Sequence, residues 1–191
     1  DGDRYCSQAV LQAERGELRE SIRSASKALH VGLAEGNDDL VALSKRDLAI
    51  AYSYAGDLDN ADRYAGEALK HAAKDPAIVA GPAYKTMGDV AVRRGRFDEA
   101  IALYGKASES ASERFRPLVD VSLANAYLAA GRTAQARALY DRLAAPESAC
   151  NRLLGQDELP GRAWLTFAGL GLLLGLLLLL KLNFSFYCLF L

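Results

Sequence analysis

Residue types that build catalytic and metal sites are scarce in this sequence. Its 191 residues include two histidines, three cysteines, one methionine and one tryptophan. The cysteines, Cys6, Cys150 and Cys188, form no CxxC pair and have no histidine nearby, which argues against a zinc site, a haem attachment site or a disulfide framework. The sequence also lacks a phosphate-binding loop, a nucleophile elbow and metal-ligand spacing. We therefore expect no catalytic residues, no cofactor and no metal.

Acidic residues are absent from the last part of the chain. All 24 aspartates and glutamates lie at or before Glu158, and Lys181 is the only charged residue after Arg162. The first 162 residues therefore carry 22 basic and 24 acidic groups, a net charge of −2. Because nucleic-acid binding needs a concentrated basic surface, this balanced charge predicts no nucleic-acid partner.

Proline is rare as well, with five residues, while alanine, leucine, arginine and glutamate are frequent, which favours helix. Four glycines mark an internal repeat: Gly16, Gly56, Gly95 and Gly131. A glycine can adopt the left-handed conformation that ends a helix, so each one predicts a turn between two antiparallel helices. Small residues that let paired helices approach closely stand seven positions before and five positions after each glycine: Ala9, Ala49, Gly88 and Ala124, then Ser21, Ala61, Ala100 and Ala136.

This pattern resembles the tetratricopeptide repeat, most clearly in LAIAYSYAGDLDNADRYAGEAL and MGDVAVRRGRFDEAIALYGKA. The resemblance implies an all-α fold, a right-handed superhelical stack of about four helix-turn-helix repeats within residues 1–146. Glycine spacings of 40, 39 and 36 residues exceed the family's usual length of about 34. We expect the extra residues in longer second helices or in loops between repeats, as at 36–39 and 75–76. The expected repeats are 2–36, 42–75, 81–114 and 117–146.

In this family the first helices of the hairpins line a groove that holds peptides or neighbouring proteins. Its basic and amide side chains here would suit an acidic segment or a terminal carboxylate, although the residue types differ from the known carboxylate clamp. Solvated charge on a helix surface is the alternative reading. The groove positions that the resemblance implies are Arg46, Ile50, Tyr54, Lys85, Asp89, Arg93, Asn125 and Leu128, together with Cys6, Val10, Val92 and Val121.

A long apolar run follows at 163–191. Trp164 to Phe184 is 21 residues with 11 leucines, enough for about 31 Å of helix, which spans a bilayer core. We therefore predict one C-terminal transmembrane helix with a short apolar tail in 163–191, preceded by a juxtamembrane linker in 147–162. Gly171 and Gly175 are small residues one turn apart that would let another helix pack closely within the bilayer.

The sequence thus predicts a non-catalytic interaction module held on a lipid bilayer, a scaffold or accessory subunit of a membrane protein complex. Two alternatives stay open: a regulatory arm of a larger enzyme or sensor, and a structural subunit whose main contacts lie within the bilayer. We expect a single-pass protein of a bacterial inner membrane. Arg152 and Arg162 before the span favour cytoplasmic repeats, and periplasmic repeats are the alternative.

Overall fold

A computed structural model describes residues 1–71 and 76–145 of the chain. The predicted linker, the transmembrane segment and its packing residues Gly171 and Gly175 lie outside the described residues, so the domain boundaries stay predictions. No helix within the described ranges is both long enough and apolar enough to cross a membrane. These ranges contain eight α-helices and no strand: α1 Gly2–Glu14, α2 Leu18–Glu35, α3 Asp38–Ala55, α4 Leu58–Ala68, α5 Pro76–Arg93, α6 Phe97–Ser110, α7 Arg116–Ala129 and α8 Thr133–Ala144.

The helices form four hairpins, and a left-handed glycine lies at the turn of each. Gly16, Gly56, Gly95 and Gly131 have φ values of 77°, 84°, 72° and 74°. At the third turn the Gly95 N–H donates to the carbonyl of Val92, which closes the end of α5. The predicted turns at all four glycines are therefore confirmed.

The extra repeat length is distributed differently from the expectation. The second helix α2 is long, with 18 residues, but in the next hairpin the first helix α3 has 18 residues and the second helix α4 only 11. The expected loop at 36–39 is also shorter, because Asp38 already begins α3. Asn37 explains this start, since its side chain accepts a hydrogen bond from the Leu40 N–H, and Asp38 and Asp39 favour a helix N-terminus.

The hairpins stack into two layers within one compact unit. The first helices contact one another in order, α1 with α3, α3 with α5 and α5 with α7. The second helices α2, α4 and α6 each pack against their own partner and then against the first helix of the next hairpin, and α8 packs against α7. The odd-numbered helices therefore form one continuous layer, and a ligand that lies on that layer can contact several hairpins at once.

Small residues close each hairpin, as the sequence predicts. In the second hairpin Ala49 and Ala61 are completely buried, and the same positions of the other hairpins are also buried. In the first hairpin the pair is Ala9 and Ser21, and the Ser21 hydroxyl donates to the Ala9 carbonyl at 2.8 Å. The Ser21 hydroxyl is buried, and this bond gives it a hydrogen-bond partner. Serine can therefore stand in place of alanine here without leaving a buried polar group unsatisfied.

Candidate functional site

Two adjoining pockets lie on the layer of odd-numbered helices, and we call them together the groove. The larger pocket has a volume of about 500 Å³ and the smaller about 70 Å³. They share Ile50, Tyr54 and Phe115, so they form one continuous surface. The larger pocket is lined by Ala9, Val10, Ala13, Glu14, Gly16, Leu18, Asp47, Ile50, Tyr54 and Phe115, and the smaller by Ile50, Ser53, Tyr54, Pro82, Lys85, Thr86, Asp89, Phe115 and Leu118.

The groove is apolar where the two pockets meet, and large side chains remain exposed there. Tyr54 is 58% exposed, Leu118 54% and Val10 38%, although each lies on a helix packed between neighbours. Ile50 is half-buried between them. Exposed apolar side chains grouped in a depression, rather than scattered over the surface, are typical of a binding surface.

Four of the eight predicted partner-binding residues line this groove, and of the four accompanying groove positions Val10 lines it whereas Cys6, Val92 and Val121 do not. Ile50 and Tyr54 line both pockets, and Lys85 and Asp89 line the smaller one. The other four, Arg46, Arg93, Asn125 and Leu128, do not line either pocket. Leu128 lies on α7, where it is 48% exposed. Asn125, on the same helix, accepts a hydrogen bond from the Tyr140 hydroxyl at 2.6 Å, which ties α7 to α8.

Arg46 is held by its own helix neighbour. Its Nε and one terminal nitrogen donate to the same carboxylate oxygen of Asp47, Oδ1, at 2.8 and 2.6 Å. The other terminal nitrogen donates to the Ile78 carbonyl at 3.1 Å. Only 13% of the Arg46 side chain is exposed, so this guanidinium joins α3 to α5. Gripping an acidic ligand would require it to give up bonds that the fold already uses.

The remaining two cations of the predicted site are engaged as well. Lys85 donates to Asp89 Oδ2 at 2.9 Å, and the buried Tyr104 hydroxyl donates to Asp89 Oδ1 at 2.6 Å. Arg93 donates to the carbonyl of Ser53, near the end of α3. Lys85 is therefore held within its own helix and Arg93 connects α5 to α3, so the groove offers a ligand mainly apolar surface.

Asp47 is the least satisfied polar residue of the groove. Its side chain is 2% exposed, and Oδ2 has no hydrogen-bond partner among the described residues. Burial raises the pKa of this carboxyl above its ordinary value, while the Arg46 charge beside it acts in the opposite direction. The thiol of Cys6 lies close by and also acts to lower the pKa of Asp47, but it forms no hydrogen bond to Oδ2.

Cys6 is buried near Asp47 but lines neither pocket. Its sulfur lies 3.7 Å from the hydroxyl of Ser44, which in turn donates to the Leu40 carbonyl at 2.7 Å. Burial and then the neighbouring Asp47 charge raise the pKa of this thiol to about 11. At neutral pH the thiol is therefore protonated and unreactive, which suits a packing role.

Sequence reasoning missed Asp47 and Phe115, and only Phe115 left a signal. Asp47 stands nine positions before Gly56, where the third hairpin has the buried Thr86 but the first has the exposed Ser7, so the register does not predict its burial. Phe115 is the aromatic residue in the polar connection between α6 and α7. An aromatic side chain in a short polar connection is more often packed than exposed.

A further depression lies on the side of the turns and contrasts with the groove. It has a volume of about 540 Å³ and is lined mainly by residues of the third and fourth hairpins, including Gly95. Its charged side chains pair with one another, Arg132 with Asp98 at 2.5 Å and Arg96 with Glu99 at 2.9 Å. Exposed pairs of this kind leave no unpaired charge for a ligand.

The described helices hold no group of three histidine, cysteine, aspartate or glutamate side chains that could bind a metal ion. No curated protein matches the chain. Residues 91–155, about a third of the sequence, match the family model of the tetratricopeptide repeat. This match begins within α5 and covers α6, α7 and α8. The chain therefore contains a tetratricopeptide repeat in an all-helical fold, and such repeats typically serve as non-catalytic modules for protein–protein interaction.

Proposed function

We propose that this chain is a non-catalytic, membrane-anchored module that binds a protein partner in its groove, as a scaffold or accessory subunit of a membrane protein complex. The observation that carries the proposal is the pair of adjoining pockets that meet at Ile50, Tyr54 and Phe115. All four hairpins contribute lining residues, so one bound segment can contact several of them at once. The resemblance implies that the hairpins stack as a right-handed superhelix. We propose that they do so here, with the layer of odd-numbered helices on the inner side of the superhelix.

The chemistry of the groove favours an apolar face of the partner. Val10, Ile50, Tyr54, Phe115 and Leu118 supply the contact area, and burial of such side chains contributes roughly 25 cal/mol per Å². Aromatic side chains of this kind often dominate interface energies. Lys85, with Asn125 and Leu128 on α7, then forms the outer part of the surface, whereas Arg46 and Arg93 hold neighbouring helices together.

A photocrosslinking experiment tests the groove. A benzophenone amino acid is placed at Tyr54 of the full chain in native membranes, and a matched control carries it at Ala102, which is exposed on α6 in the other layer. We expect a discrete crosslinked partner from position 54, and its loss when Ile50→Asp is added. Equal crosslinking from both positions, or none from position 54, would contradict binding in the groove.

The anchor is the second part of the proposal, and the sequence of 163–191 supports it. About eleven leucines at roughly −0.5 kcal/mol each outweigh one lysine near the end of the span, which costs at most about 3 kcal/mol. We propose a single pass through a bacterial inner membrane with the repeats on the cytoplasmic side. Lys181 would reach the headgroups from the last turn.

Alkaline extraction tests the anchor. The full chain should stay with the membranes, whereas Leu174→Asp together with Leu178→Asp should release it, since two charges at mid-span oppose insertion. Gln156→Asp in the predicted linker is the matched control. Retention of the doubly charged variant in the membranes would contradict the anchor. If the anchor holds, protease added to sealed spheroplasts tests the side of the repeats, because it digests periplasmic repeats and spares cytoplasmic ones.

The two alternatives predict different results. A regulatory arm of a larger enzyme or sensor would appear as a longer gene product in the native host. A subunit that works within the bilayer would lose its partners on Gly171→Leu and Gly175→Leu, which remove the small packing surface, and would keep them on Ile50→Asp.

A further inference from the structure

The charges that line the larger pocket have one sign. Its lining residues include Glu14 on α1 and Asp47 on α3, and no basic side chain belongs to the described lining. The other lining residues are apolar or small, apart from the hydroxyl of Tyr54. A ligand group that complements this pocket therefore combines an apolar body with a positively charged or hydrogen-bond-donating end.

The Asp47 carboxylate is buried, and one of its two oxygens has no donor among the described residues. Both donors of Arg46 that reach Asp47 converge on Oδ1, and Oδ2 lacks a partner within the described part of the chain. A buried acceptor without a partner costs roughly 1–3 kcal/mol, and more when the group is charged. A ligand that donates a hydrogen bond to Oδ2 would recover this free energy, which would favour its binding.

We infer that the larger pocket accepts a lysine side chain of the protein partner, whose ammonium group donates to Oδ2 of Asp47. This inference rests on the proposed function of the groove and names the chemistry that the partner must present. The four-carbon stem of lysine lies on Val10, Ile50 and Tyr54, and the charged end reaches the carboxylate.

Lysine fits better than arginine or an acidic residue. A single vacant acceptor suits the compact ammonium group, whereas the planar guanidinium is best matched by two acceptors arranged as a fork. Arg46 already compensates part of the Asp47 charge. A bound lysine would bring a second positive charge, and Glu14 in the same pocket would balance it. An acidic ligand group would instead meet two carboxylates.

Peptide selection tests the inference directly. The probe is a library of short random peptides, selected for binding to the full chain in mild detergent. We expect selected peptides to combine apolar residues with a recurrent lysine. Replacing that lysine by norleucine, which keeps the stem and removes the charge, should weaken binding about tenfold, the effect of one charged hydrogen bond.

Three variants then assign the effect to Asp47. Asp47→Asn should reduce the preference for lysine over norleucine from about tenfold to less than about threefold, because the amide offers no negative charge. Asp141→Asn on α8 is the matched control and should keep the full preference. Ile50→Asp should abolish binding of both peptides. The comparison of the two peptides on the unaltered chain holds even if Asp47→Asn fails to fold.

The outcomes separate this inference from the proposed function. Peptides that bind in an Ile50-dependent way without a lysine preference would overturn the inference and leave the groove intact as a binding site. A preference for acidic peptides would also overturn it, in favour of Arg46, Lys85 and Arg93. Absence of any bound peptide would overturn both.

Discussion

The ring of Tyr104 on α6 lies directly against the backbone of Gly88 on α5. A Cβ atom at Gly88 would come within 2.6 Å of the Tyr104 Cε1 atom, closer than any real contact. The ring is 3% exposed and its hydroxyl donates to Asp89, so it cannot move aside easily. The second hairpin has Ala49 and Ala65 at these two positions and the fourth has Ala124 and Tyr140, so glycine opposite tyrosine is particular to the third hairpin.

Gly88→Ala should therefore destabilise the fold by about 1–3 kcal/mol, the usual effect of overpacking. Urea unfolding followed by circular dichroism measures this. Gly66→Ala is the matched control, because a Cβ there meets no atom within 4 Å, and it should stabilise the fold by about 0.5–1 kcal/mol through helix propensity. In a Tyr104→Ala background the harm of Gly88→Ala should disappear. An unchanged penalty in that background would contradict the contact.

The left-handed turn at Gly95 gives a second prediction. Its φ is 72° and nothing lies within 4 Å of a built Cβ, so any penalty of a side chain comes from the backbone alone. Gly95→Ala should cost about 1–2 kcal/mol, and Gly95→Asn less, since asparagine tolerates this conformation. Thermal unfolding of both variants compares them. Equal stability of the alanine variant and the unaltered chain would contradict a left-handed turn.

The raised pKa of Asp47 predicts a pH dependence. Burial favours the protonated carboxyl, so the folded chain binds more protons than the unfolded one at pH values from the ordinary pKa of 3.8 upward. The contribution of Asp47 to stability therefore falls as the pH rises through that window. Asp47→Asn does not titrate, so its stability relative to the unaltered chain should increase as the pH rises above about 4.

Asp57→Asn is the control of opposite sign for that experiment. Hydrogen bonds from the Asn60 side chain and N–H lower the pKa of the Asp57 carboxyl, so its contribution is present above the ordinary pKa and is lost on acidification. The Asp57→Asn variant should lose relative stability as the pH rises. Urea unfolding across the pH range measures both trends, and a flat difference for Asp47→Asn would show that its carboxyl is ionised throughout.

Arg93 should act in stability rather than in ligand binding. Its guanidinium donates to the Ser53 carbonyl and so joins α5 to α3. Arg93→Ala should lower the free energy of unfolding by about 1 kcal/mol. The Arg137 side chain is 86% exposed and its ion pair with Asp141 is 3.9 Å long, so Arg137→Ala should change the stability little. Urea midpoints and affinity for a selected peptide are both measured. Unchanged stability with weaker binding would instead support the sequence-based role of Arg93 as a ligand contact.

Much of the hairpin architecture could be predicted from the sequence because its determinants are local. Gly16, Gly56, Gly95 and Gly131 mark the turns, since only a residue without a Cβ adopts φ near 75° without strain. The small residues at fixed distances from them predict the close helix pairs. The composition of residues 36–39 suggests a loop, so the early start of α3 was not predicted. The Asn37 side chain caps the helix there and lets it begin at Asp38.

The candidate site depended on distances that one sequence does not contain. Ile50 and Tyr54 were predicted from the resemblance to the tetratricopeptide repeat, and both line the groove. The engagement of Arg46 and Arg93 was not predictable, because their acceptors include the Ile78 and Ser53 carbonyls, which lie 32 and 40 residues away along the chain.

The sequence by itself determined that the chain folds as helical hairpins, because helix propensity, glycine turns and small-residue spacing act over a few residues. Only the tertiary structure decided what the groove presents. It placed Phe115 across from α1 and left Oδ2 of Asp47 buried without a donor among the described residues. The physical reason is that burial and hydrogen-bond partners are set by which helices stack together, so the same aspartate would be solvated on an isolated hairpin.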